Sequence, residues 1–321
     1  MFDPITNRFL PLWSDIKEED QFHVRRPLLA HYTSMEILEK IVRTNEIWLS
    51  NPLFMNDIEE VRFGLNESQR LVLASTEIAG VCGDQTRTDL FRNAFAGCYS
   101  QFAMSQVLDT YVLCLSEHHA DNVDGVLSMW RGYGGNGDGA AIVFDASKLN
   151  NLPTSTFMLA KVHYGSGPDR IRWIKAKINE FVSLFSSTPI ESTDLPAVAF
   201  QLFQRFKLFS LFSKHVGFAE EAEWRVVYLR DRDTAGVMTP LFDYKVGSRG
   251  IEPILKFKVE AKSGVTAPDF SLEKLVDRII LGPTVSSPLS HAAIVKMLEK
   301  IDRPELAKRV GASSIPYRSR G

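Results

Sequence analysis

The irregular order of strand-like and helix-like segments does most to limit the folds open to this 321-residue chain. Short apolar runs bounded by polar residues or glycine predict strands, and they occur at residues 46–50, 111–116, 140–144, 157–164, 223–229, 254–259 and 279–281. Apolar residues at helical spacing predict helices, and they occur at residues 35–42, 58–65, 89–102, 171–185, 200–212 and 289–301. Because the two kinds of segment do not alternate regularly, we expect an α+β fold rather than a doubly wound parallel sheet.

Two helix starts have the spacing of a capping box, in which a polar side chain and a glutamate three residues later satisfy the first backbone amides. Thr33 with Glu36 would begin the helix after the first strand, and Asn56 with Glu59 would begin the next one. Farther along, phenylalanine recurs every third residue over 200–212. Such a stripe is typical of a packed core rather than of a cofactor site.

Charge and cysteine usage argue against several classes of protein. The formal net charge is −2, and the three cysteines include no C-x-x-C pair, so we expect no disulfide framework, structural zinc site or strongly basic domain. No apolar run reaches about 18 residues, and the first residues lack the apolar centre of a secretory signal. We therefore expect a cytoplasmic protein without a membrane span.

One local basic stretch contains Arg170, Arg172, Lys175 and Lys177, with Trp173 between them. A solvated helix face explains these charges without any ligand. Alternatively, the cations hold a phosphate backbone while the tryptophan stacks on a base, as in proteins that bind single-stranded nucleic acid.

The first segment suited to chemistry is His31-Tyr32-Thr33, where an apolar strand ends and a helix begins. A histidine there can present a ring nitrogen to a ligand hydroxyl, and a threonine hydroxyl can bind a ligand or cap the helix. From this segment alone, a packed ring and a helix cap are the favoured interpretation.

The second segment joins a strand end at Ser116 to a glycine-rich stretch at residues 132–139, next to Trp130 and Tyr133. A small residue at a strand end leaves room for a ligand, and either aromatic ring could stack on a flat heterocycle. A strand follows the glycines, so the stretch does not match the dinucleotide-binding G-x-G-x-x-G context. A glycine-rich hairpin with core aromatics is the alternative.

The third segment, E-x-E-W-R, places Glu221 and Glu223 at the start of an apolar strand. Alternation along a strand would put both carboxylates on one face. Carboxylates are costly to bury without a partner, so either a functional site or an ion pair with Arg225 must explain them.

Taken in order, these motifs resemble a bacterial family of domains of unknown function that is itself similar to the ADP-ribosyltransferase superfamily. The matching motifs are H-Y-T at residues 31–33, N-D-x-E at 56–59, W-x-x-Y-G at 130–134 and E-x-E-W-R at 221–225. The resemblance spans about residues 28–285, and the order and combination of the motifs carry it.

The resemblance implies an NAD⁺ site that begins with His31, Tyr32 and Thr33. It also implies a late catalytic glutamate, which is Glu223 here, with Glu221 beside it to orient the acceptor. Cleavage of the bond between nicotinamide and ribose passes through an oxocarbenium-like state, as glycoside cleavage does. The carboxylate of Glu223 would stabilise the developing positive charge, and His31 would donate to a ribose hydroxyl.

The middle position of the implied site has two candidates, because Ser116 matches one branch of the superfamily and Tyr133 matches another. Trp130 or Tyr133 would stack on the nicotinamide. NAD⁺ is then a substrate, and no metal is required.

We therefore expect an α+β fold with an ADP-ribosyltransferase-like split β-sheet core. The expected parts are an N-terminal extension (1–27), a catalytic domain (28–285) with a helical insertion at about 170–215, and a C-terminal helix and tail (286–321). The expected function is NAD-dependent ADP-ribosyl transfer to a macromolecule. RNA is favoured slightly over protein or DNA, because the H-x-T opening resembles the branch that modifies nucleic acids. The resemblance also suggests a toxin or anti-phage effector with a neutralising antitoxin protein as partner.

Two other functions are open. One is a metal-dependent nuclease that uses Glu221, Glu223, Asp121 and Asp124. The other is a non-catalytic binding module in which His31 and Glu223 have structural roles.

Overall fold

The computed structural model describes residues 3–17, 28–55, 58–149, 155–247, 250–262 and 265–317. Asn56 and Asp57 of the N-D-x-E motif lie outside the described residues, and so does the side chain of Glu59. The capping box expected there stays a prediction, and the helix that follows is described from Ile58.

The described chain contains both strands and helices, which confirms the α+β class. The strands are β1 (Leu28–Thr33), β2 (Glu46–Ser50), β3 (Tyr111–Glu117), β4 (Ala140–Asp145), β5 (Phe157–Lys161), β6 (His163–Gly165), β7 (Ser213–His215), β8 (Glu223–Tyr228), β9 (Phe242–Gly247), β10 (Gly250–Lys258), β11 (Val276–Leu281) and β12 (Val310–Ala312). The α-helices are α1 (Pro4–Phe9), α2 (Ser14–Lys17), α3 (Met35–Thr44), α4 (Ile58–Ala74), α5 (Thr76–Cys82), α6 (Gln85–Met104), α7 (Leu127–Gly132), α8 (Gly167–Ser186), α9 (Leu195–Leu211), α10 (Leu272–Leu275), α11 (Pro288–Lys300) and α12 (Pro304–Ala307).

The chain divides into two compact units. The helical unit comprises residues 3–17, Asn51–Thr110 and Ala160–Ala219, and the strand unit comprises residues 28–50, Tyr111–Leu159 and 220–317. All the residues proposed from sequence for NAD⁺ chemistry belong to the strand unit.

Phenylalanine rings fill the core of the helical unit. Phe91 of α6 packs against Phe181 of α8, and Phe95 packs edge-on against Phe203 of α9. The expected stripe in α9 is therefore core, apart from Phe200, whose side chain is exposed. The two short strands β6 and β7 pair in parallel within the same unit.

A twisted path of strands forms the centre of the strand unit, in the order β12-β11-β4-β1-β3-β2-β10-β9, with β8 paired to β3 and β5 paired to β8. The pairings among β1, β2, β3, β4, β8, β9, β10 and β11 are antiparallel, whereas β11 and β12 are parallel. The apolar face of the sheet buries residues such as Leu29, Leu49 and Ile142 together with Leu38 of α3.

The sheet divides at β3, because two strands share one of its edges. β8 pairs with β3 over residues 111–116, while on the opposite edge β1 pairs with Ser116 and Glu117, and β2 pairs with Val112. Away from β3, β1 continues along β4 and β2 continues along β10. A gap therefore opens between β1 and β2 alongside the middle of β3.

The first helix cap differs from the prediction by one residue. Ser34 caps α3, and its side chain accepts a hydrogen bond from the backbone N–H of Ile37. Thr33 is instead the last residue of β1 and pairs with Ala140 of β4. Because the ladder with β4 extends through Thr33, its backbone belongs to the strand, and the helix begins one residue later.

The predicted strand over residues 157–164 is two strands. β5 ends at Lys161, and the backbone N–H of His163 then donates to the carbonyl of Phe212 at 2.7 Å, which starts the separate pairing of β6 with β7. Among the residues that the structure describes, no helix is long and apolar enough to cross a membrane.

Candidate functional site

A polar cleft lies at the gap between β1 and β2. It has a volume of about 670 Å³, and we call it the fork cleft. It is lined by residues of β1, α3, β2, β9 and β10, namely His31, Thr33, Glu36, Ile37, Lys40, Ile41, Glu46, Ile47, Trp48, Ser50, Tyr244, Lys245, Val246, Gly247 and Glu252. Pockets of about 300–1,000 Å³ are the usual size for small-molecule sites.

His31 lines the fork cleft and also bridges the gap to β3. Its Nδ1 lies 3.1 Å from the carbonyl oxygen of Cys114. A carbonyl only accepts, so Nδ1 carries the proton and donates it to this bond. Burial lowers the pKa of His31 below its ordinary value of 6.5, and the bond to Cys114 acts in the opposite sense without cancelling this shift. At neutral pH the ring is therefore neutral, and its Nε2 is an acceptor.

This tautomer reverses the contact expected from the sequence. A ligand hydroxyl would donate to Nε2 of His31, whereas the expectation from the sequence was that His31 donates to the hydroxyl. The carbonyl of Cys114 fixes the tautomer, and the sequence gives no sign of it because the two residues are 83 positions apart.

The glycine-rich stretch approaches the same end of β1. A Cβ on Gly139 would lie 2.1 Å from the carbonyl oxygen of Thr33, so only glycine fits there. Asn136, in the left-handed region at φ 54°, accepts a hydrogen bond from the hydroxyl of Tyr317 at 2.5 Å. The C-terminal segment thus holds the stretch that carries Tyr133.

A second group of candidates surrounds the start of β8, and we call Ser116, Tyr133, Glu221, Glu223 and Arg225 the β8 cluster. The hydroxyl of Ser116 donates to the backbone carbonyl of Glu221 at 2.5 Å, and the hydroxyl of Tyr133 donates to the Glu221 carboxylate at 2.9 Å. Ser116 is buried, whereas Tyr133 is 40% exposed. Of the two candidates for the middle position, Tyr133 is the accessible one.

Glu223 is only 3% exposed and forms a two-point ion pair with Arg225. Its two carboxylate oxygens accept from Nε of Arg225 at 2.8 Å and from one terminal nitrogen at 3.2 Å. The pairing predicted as the structural explanation of the E-x-E-W-R motif is therefore present. Such a bond holds the carboxylate in one orientation and compensates its charge.

The two glutamates do not share a strand face. Glu221 ends a 3₁₀ helix (Val216–Glu221), and β8 begins at Glu223. Between them Ala222 has φ 42°, in the left-handed region that non-glycine residues rarely adopt. The alternation expected from the sequence is therefore wrong for this pair, because the chain turns at Ala222 before the strand starts.

Trp130 and Tyr32 belong to the core. The indole of Trp130 is fully buried, donates to the carbonyl of Asp124 at 2.9 Å and meets the ring of Tyr32 edge-on at 4.8 Å. The hydroxyl of Tyr32 accepts from the N–H of Val126, and burial raises the pKa of Tyr32 to about 12. In this arrangement Trp130 offers no ring face to a ligand, so Tyr133 is the aromatic candidate that is exposed.

The basic stretch is not a continuous surface. In the helical unit, Arg170 and Lys177 are buried, and Lys177 bonds to Glu180 at 2.8 Å. Trp173 is stacked on Phe209 with ring centroids 4.0 Å apart. Neither the solvated face nor the base-stacking interpretation fits, because half of the cations and the aromatic ring turn inward. These side chains of α8 turn inward because the helix packs against both α4 and α5.

The candidates thus form two groups in the strand unit: His31 and Thr33 line the fork cleft, and the β8 cluster surrounds the start of β8. None of the β8 cluster is among the residues that line the cleft. Trp48, which lines the fork cleft beside Lys40, was not predicted from the sequence. Its signal was the alternation of β2, in which Ile47 and Leu49 are buried while Trp48 faces the other way.

The described residues contain no group of three or more His, Cys, Asp or Glu side chains that could hold a metal ion. Two of the four acidic residues of the nuclease alternative already bond to other groups. One oxygen of Asp124 accepts from the backbone N–H of Ser314, and both oxygens of Glu223 accept from Arg225.

The fold and the site define a class: a mixed α+β protein whose strand unit carries a polar cleft where its sheet divides. In a comparison with protein families, residues 129–226 are similar to the family described as "Protein of unknown function (DUF2971)". This segment runs from α7 to β8 and contains Trp130, Tyr133 and the two glutamates. No curated protein and no solved structure matches the chain.

Proposed function

We propose that this protein transfers ADP-ribose from NAD⁺ to a macromolecule and that NAD⁺ binds in the fork cleft. The observation that carries the proposal is the neutral His31 ring, which is held by Cys114 at the gap between β1 and β2 and presents Nε2 as an acceptor. A ribose is a ligand with hydroxyl donors to match such an acceptor.

The lining of the fork cleft supports a ligand that is both flat and charged. Trp48 offers an aromatic ring, with Nζ of Lys256 5.0 Å and Nζ of Lys40 5.9 Å from its centroid. Lys245 lines the same cleft. An aromatic ring suits stacking on a heterocycle. Lys40 pairs with Glu36 at 2.8 Å and Lys245 with Glu252 at 3.2 Å, so a diphosphate would take the place of these carboxylates beside the ammonium groups.

In this proposal the β8 cluster supplies the carboxylates. Glu223, oriented by Arg225, would stabilise the positive charge that develops on the ribose, and Glu221, oriented by Tyr133, would direct the acceptor. A shift of the ligand or of the chain at Ala222 is required for Glu223 to reach the sugar, because its side chain is buried.

The acceptor is proposed as a macromolecule without choosing among RNA, DNA and protein. The basic stretch gives no support for RNA, since Arg170, Lys177 and Trp173 are engaged in the helical unit. The proposed role as a toxin or anti-phage effector with an antitoxin partner is supported by the family resemblance alone.

Binding can be tested with His31→Ala and a matched control, His291→Ala. His291 is also a partly buried ring of the strand unit bonded to a backbone carbonyl, that of Val310 at 3.1 Å, but it lies outside the fork cleft. We expect titration calorimetry to show NAD⁺ affinity at least tenfold lower in His31→Ala and unchanged in His291→Ala. Equal loss in both, or in neither, would refute the site.

The wild-type protein separates this proposal from the nuclease alternative. NAD⁺, but not Mg²⁺, is expected to raise the melting temperature, because a ligand that binds only the folded state stabilises it. Stabilisation by Mg²⁺ alone would favour the nuclease.

Transfer can be tested with labelled NAD⁺ and cell lysate. We expect Glu223→Gln to abolish labelling while NAD⁺ binding persists. Breaking a buried ion pair typically costs about 3–5 kcal/mol, so the melting temperature is expected to fall too. Glu273→Gln is the control, because Glu273 pairs with Arg303 away from the site and should retain labelling. If folded Glu223→Gln labels as strongly as the wild type, Glu223 is not catalytic and its ion pair with Arg225 is structural.

A further inference from the structure

The strand β9 is an open edge of the sheet. Within the described part of the chain it pairs with β10 alone. Its hairpin exposes three apolar side chains on one face, Tyr244 at 67%, Val246 at 88% and Ile251 at 68%. Open edges with exposed apolar side chains are sites where another strand can add.

The hydrogen-bonding groups of β9 that face the open edge follow from its register. The backbone N–H of Val259 donates to the carbonyl of Asn45 on the β2 side. Backbone hydrogen-bonding groups alternate along a strand, so every second residue of β10 directs its N–H and C=O towards β2. The residues between them, including Ile254 and Glu252, direct theirs towards β9. Their partners on β9 are Asp243 and Lys245. Phe242, Tyr244 and Val246 therefore direct their N–H and C=O groups outward.

The backbone of Tyr244 agrees with this assignment. Its N–H donates to the carboxylate of the adjacent Asp243 at 2.7 Å instead of to β10. Pro253, which has no N–H, lies opposite Tyr244 on β10. Pairing of the outward groups of Tyr244 with another strand would exchange the bond to Asp243 for one to that strand, and it would leave the β9–β10 ladder intact.

The sequence of β9 is complementary to itself when two copies run antiparallel about Tyr244. In that register Asp243 of one copy faces Lys245 of the other, twice, and Phe242 faces Val246. Within each copy Asp243 also pairs with Lys256 at 2.5 Å and Lys245 with Glu252 at 3.2 Å, so the contacts between copies add to these ion pairs. Tyr244 faces Tyr244 as a hydrogen-bonded pair. Opposite charges directly across an antiparallel pair are favourable, and like charges are unfavourable.

We propose that two copies of this chain associate through β9, antiparallel and centred on a two-fold axis at Tyr244. The partner is thus a second copy rather than an unrelated peptide, because the charges and the outward hydrogen-bonding groups match in this one register. Isologous two-fold contacts are the commonest form of self-association. One pair of strands buries less than about 1,200 Å², so the dimer is weak and depends on concentration.

Sedimentation of the full-length protein from about 1 µM to about 1 mM tests the proposal. The wild type is expected to shift from monomer to dimer. Tyr244→Pro removes one outward N–H from each copy while leaving the β9–β10 ladder intact, and it is expected to weaken association about tenfold or more. A dimer of undiminished strength in Tyr244→Pro would overturn the proposal, as would a wild type that stays monomeric throughout.

Charge variants test the register. Asp243→Lys and Lys245→Asp each place like charges opposite one another, so each alone is expected to be monomeric. An equimolar mixture restores both opposite-charge pairs and is expected to dimerise. Lys258→Asp, an equal charge change at the other end of the hairpin, should associate like the wild type. Melting temperatures confirm that each variant folds, and a mixture that stays monomeric would refute the register.

Discussion

At the scale of single residues, Glu221 receives contacts of two kinds. The buried hydroxyl of Ser116 donates to its carbonyl, whereas the exposed hydroxyl of Tyr133 donates to its carboxylate. The first contact fixes the backbone just before β8. The second sets the direction of the carboxylate, so the two residues have different physical roles.

Ser116→Ala and Tyr133→Phe should therefore separate stability from activity. Loss of the Ser116 hydroxyl removes a hydrogen bond to a half-buried carbonyl, which typically costs about 0.5–1.5 kcal/mol of unfolding free energy. Tyr133→Phe is expected to change stability little and to reduce ADP-ribosyl transfer. Denaturant unfolding and labelled NAD⁺ measure the two effects. The assignment of roles is wrong if Tyr133→Phe is the less stable variant and keeps full transfer.

The sequence identified residue types better than their contacts. The tautomer of His31, the burial of Trp130 and the ion pair of Glu223 each depend on atoms contributed by other parts of the fold. The Arg225 pairing was foreseeable, because the two residues are two apart on one strand. The carbonyl of Cys114 was not, since β1 and β3 become neighbours only through the sheet.

At the scale of elements, the glycine-rich stretch and the end of β1 form one close-packed contact. A side chain at Gly139 would meet the carbonyls of both Thr33 and Gly134. These are backbone atoms that cannot rotate away, so any added carbon must displace the strand or the stretch. The contact therefore connects the position of Thr33 in the fork cleft to the stretch that carries Tyr133.

Gly139→Ala is expected to lower the free energy of unfolding by about 1–3 kcal/mol, the usual cost of overpacking, and to weaken NAD⁺ binding. Gly132→Ala is the control from the same stretch, because a Cβ there meets no atom within 4 Å. Calorimetry with NAD⁺ and thermal unfolding compare the two variants. If both variants unfold and bind NAD⁺ like the wild type, the close contact at Gly139 does not affect stability or binding and the prediction is wrong.

Element boundaries were predicted where local pattern decides them and missed where pairing decides them. The strand at Glu46–Ser50 agrees with the prediction, because its alternation is clear. The start of α3 and the break after Lys161 were misplaced, because the pairings with β4 and β7 extend or interrupt what the local pattern shows. The turn at Ala222 gave no local signal, since alanine carries no preference for positive φ.

At the scale of the whole molecule, burial keeps several histidines neutral. It lowers the pKa values of His31, His118 and His163 below the ordinary value of 6.5. The ring of His118 is buried, and the backbone of Asn122 opposes the effect of burial on its pKa without overcoming it. In the unfolded chain each of these rings is protonated as the pH falls through about 6.5, whereas in the folded protein protonation requires a lower pH.

The free energy of unfolding should therefore fall as the pH drops below about 6.5, because the unfolded state then binds more protons. Each of the three histidines contributes at most about 1.4 kcal/mol per pH unit. Denaturant titrations at pH 7.5 and pH 5 measure the fall above the range in which carboxylates titrate. His118→Asn should reduce the pH dependence, and a stability that is equal at both pH values contradicts the prediction.

Two long segments of the helical unit interrupt the sequence of the strand unit, and each of these excursions connects two strands that pair with each other. Residues 51–110 depart after Ser50 and return before Val112, which pairs with Ser50. Residues 160–219 depart from β5 and return before β8, which pairs with β5. Each excursion joins two strands that pair with each other, and the entropy of closing such a loop grows slowly with its length. The helical segments are thus lengths of chain that can grow or shrink without changing the register of the sheet, so homologous proteins with a shorter helical unit can have the same fork cleft.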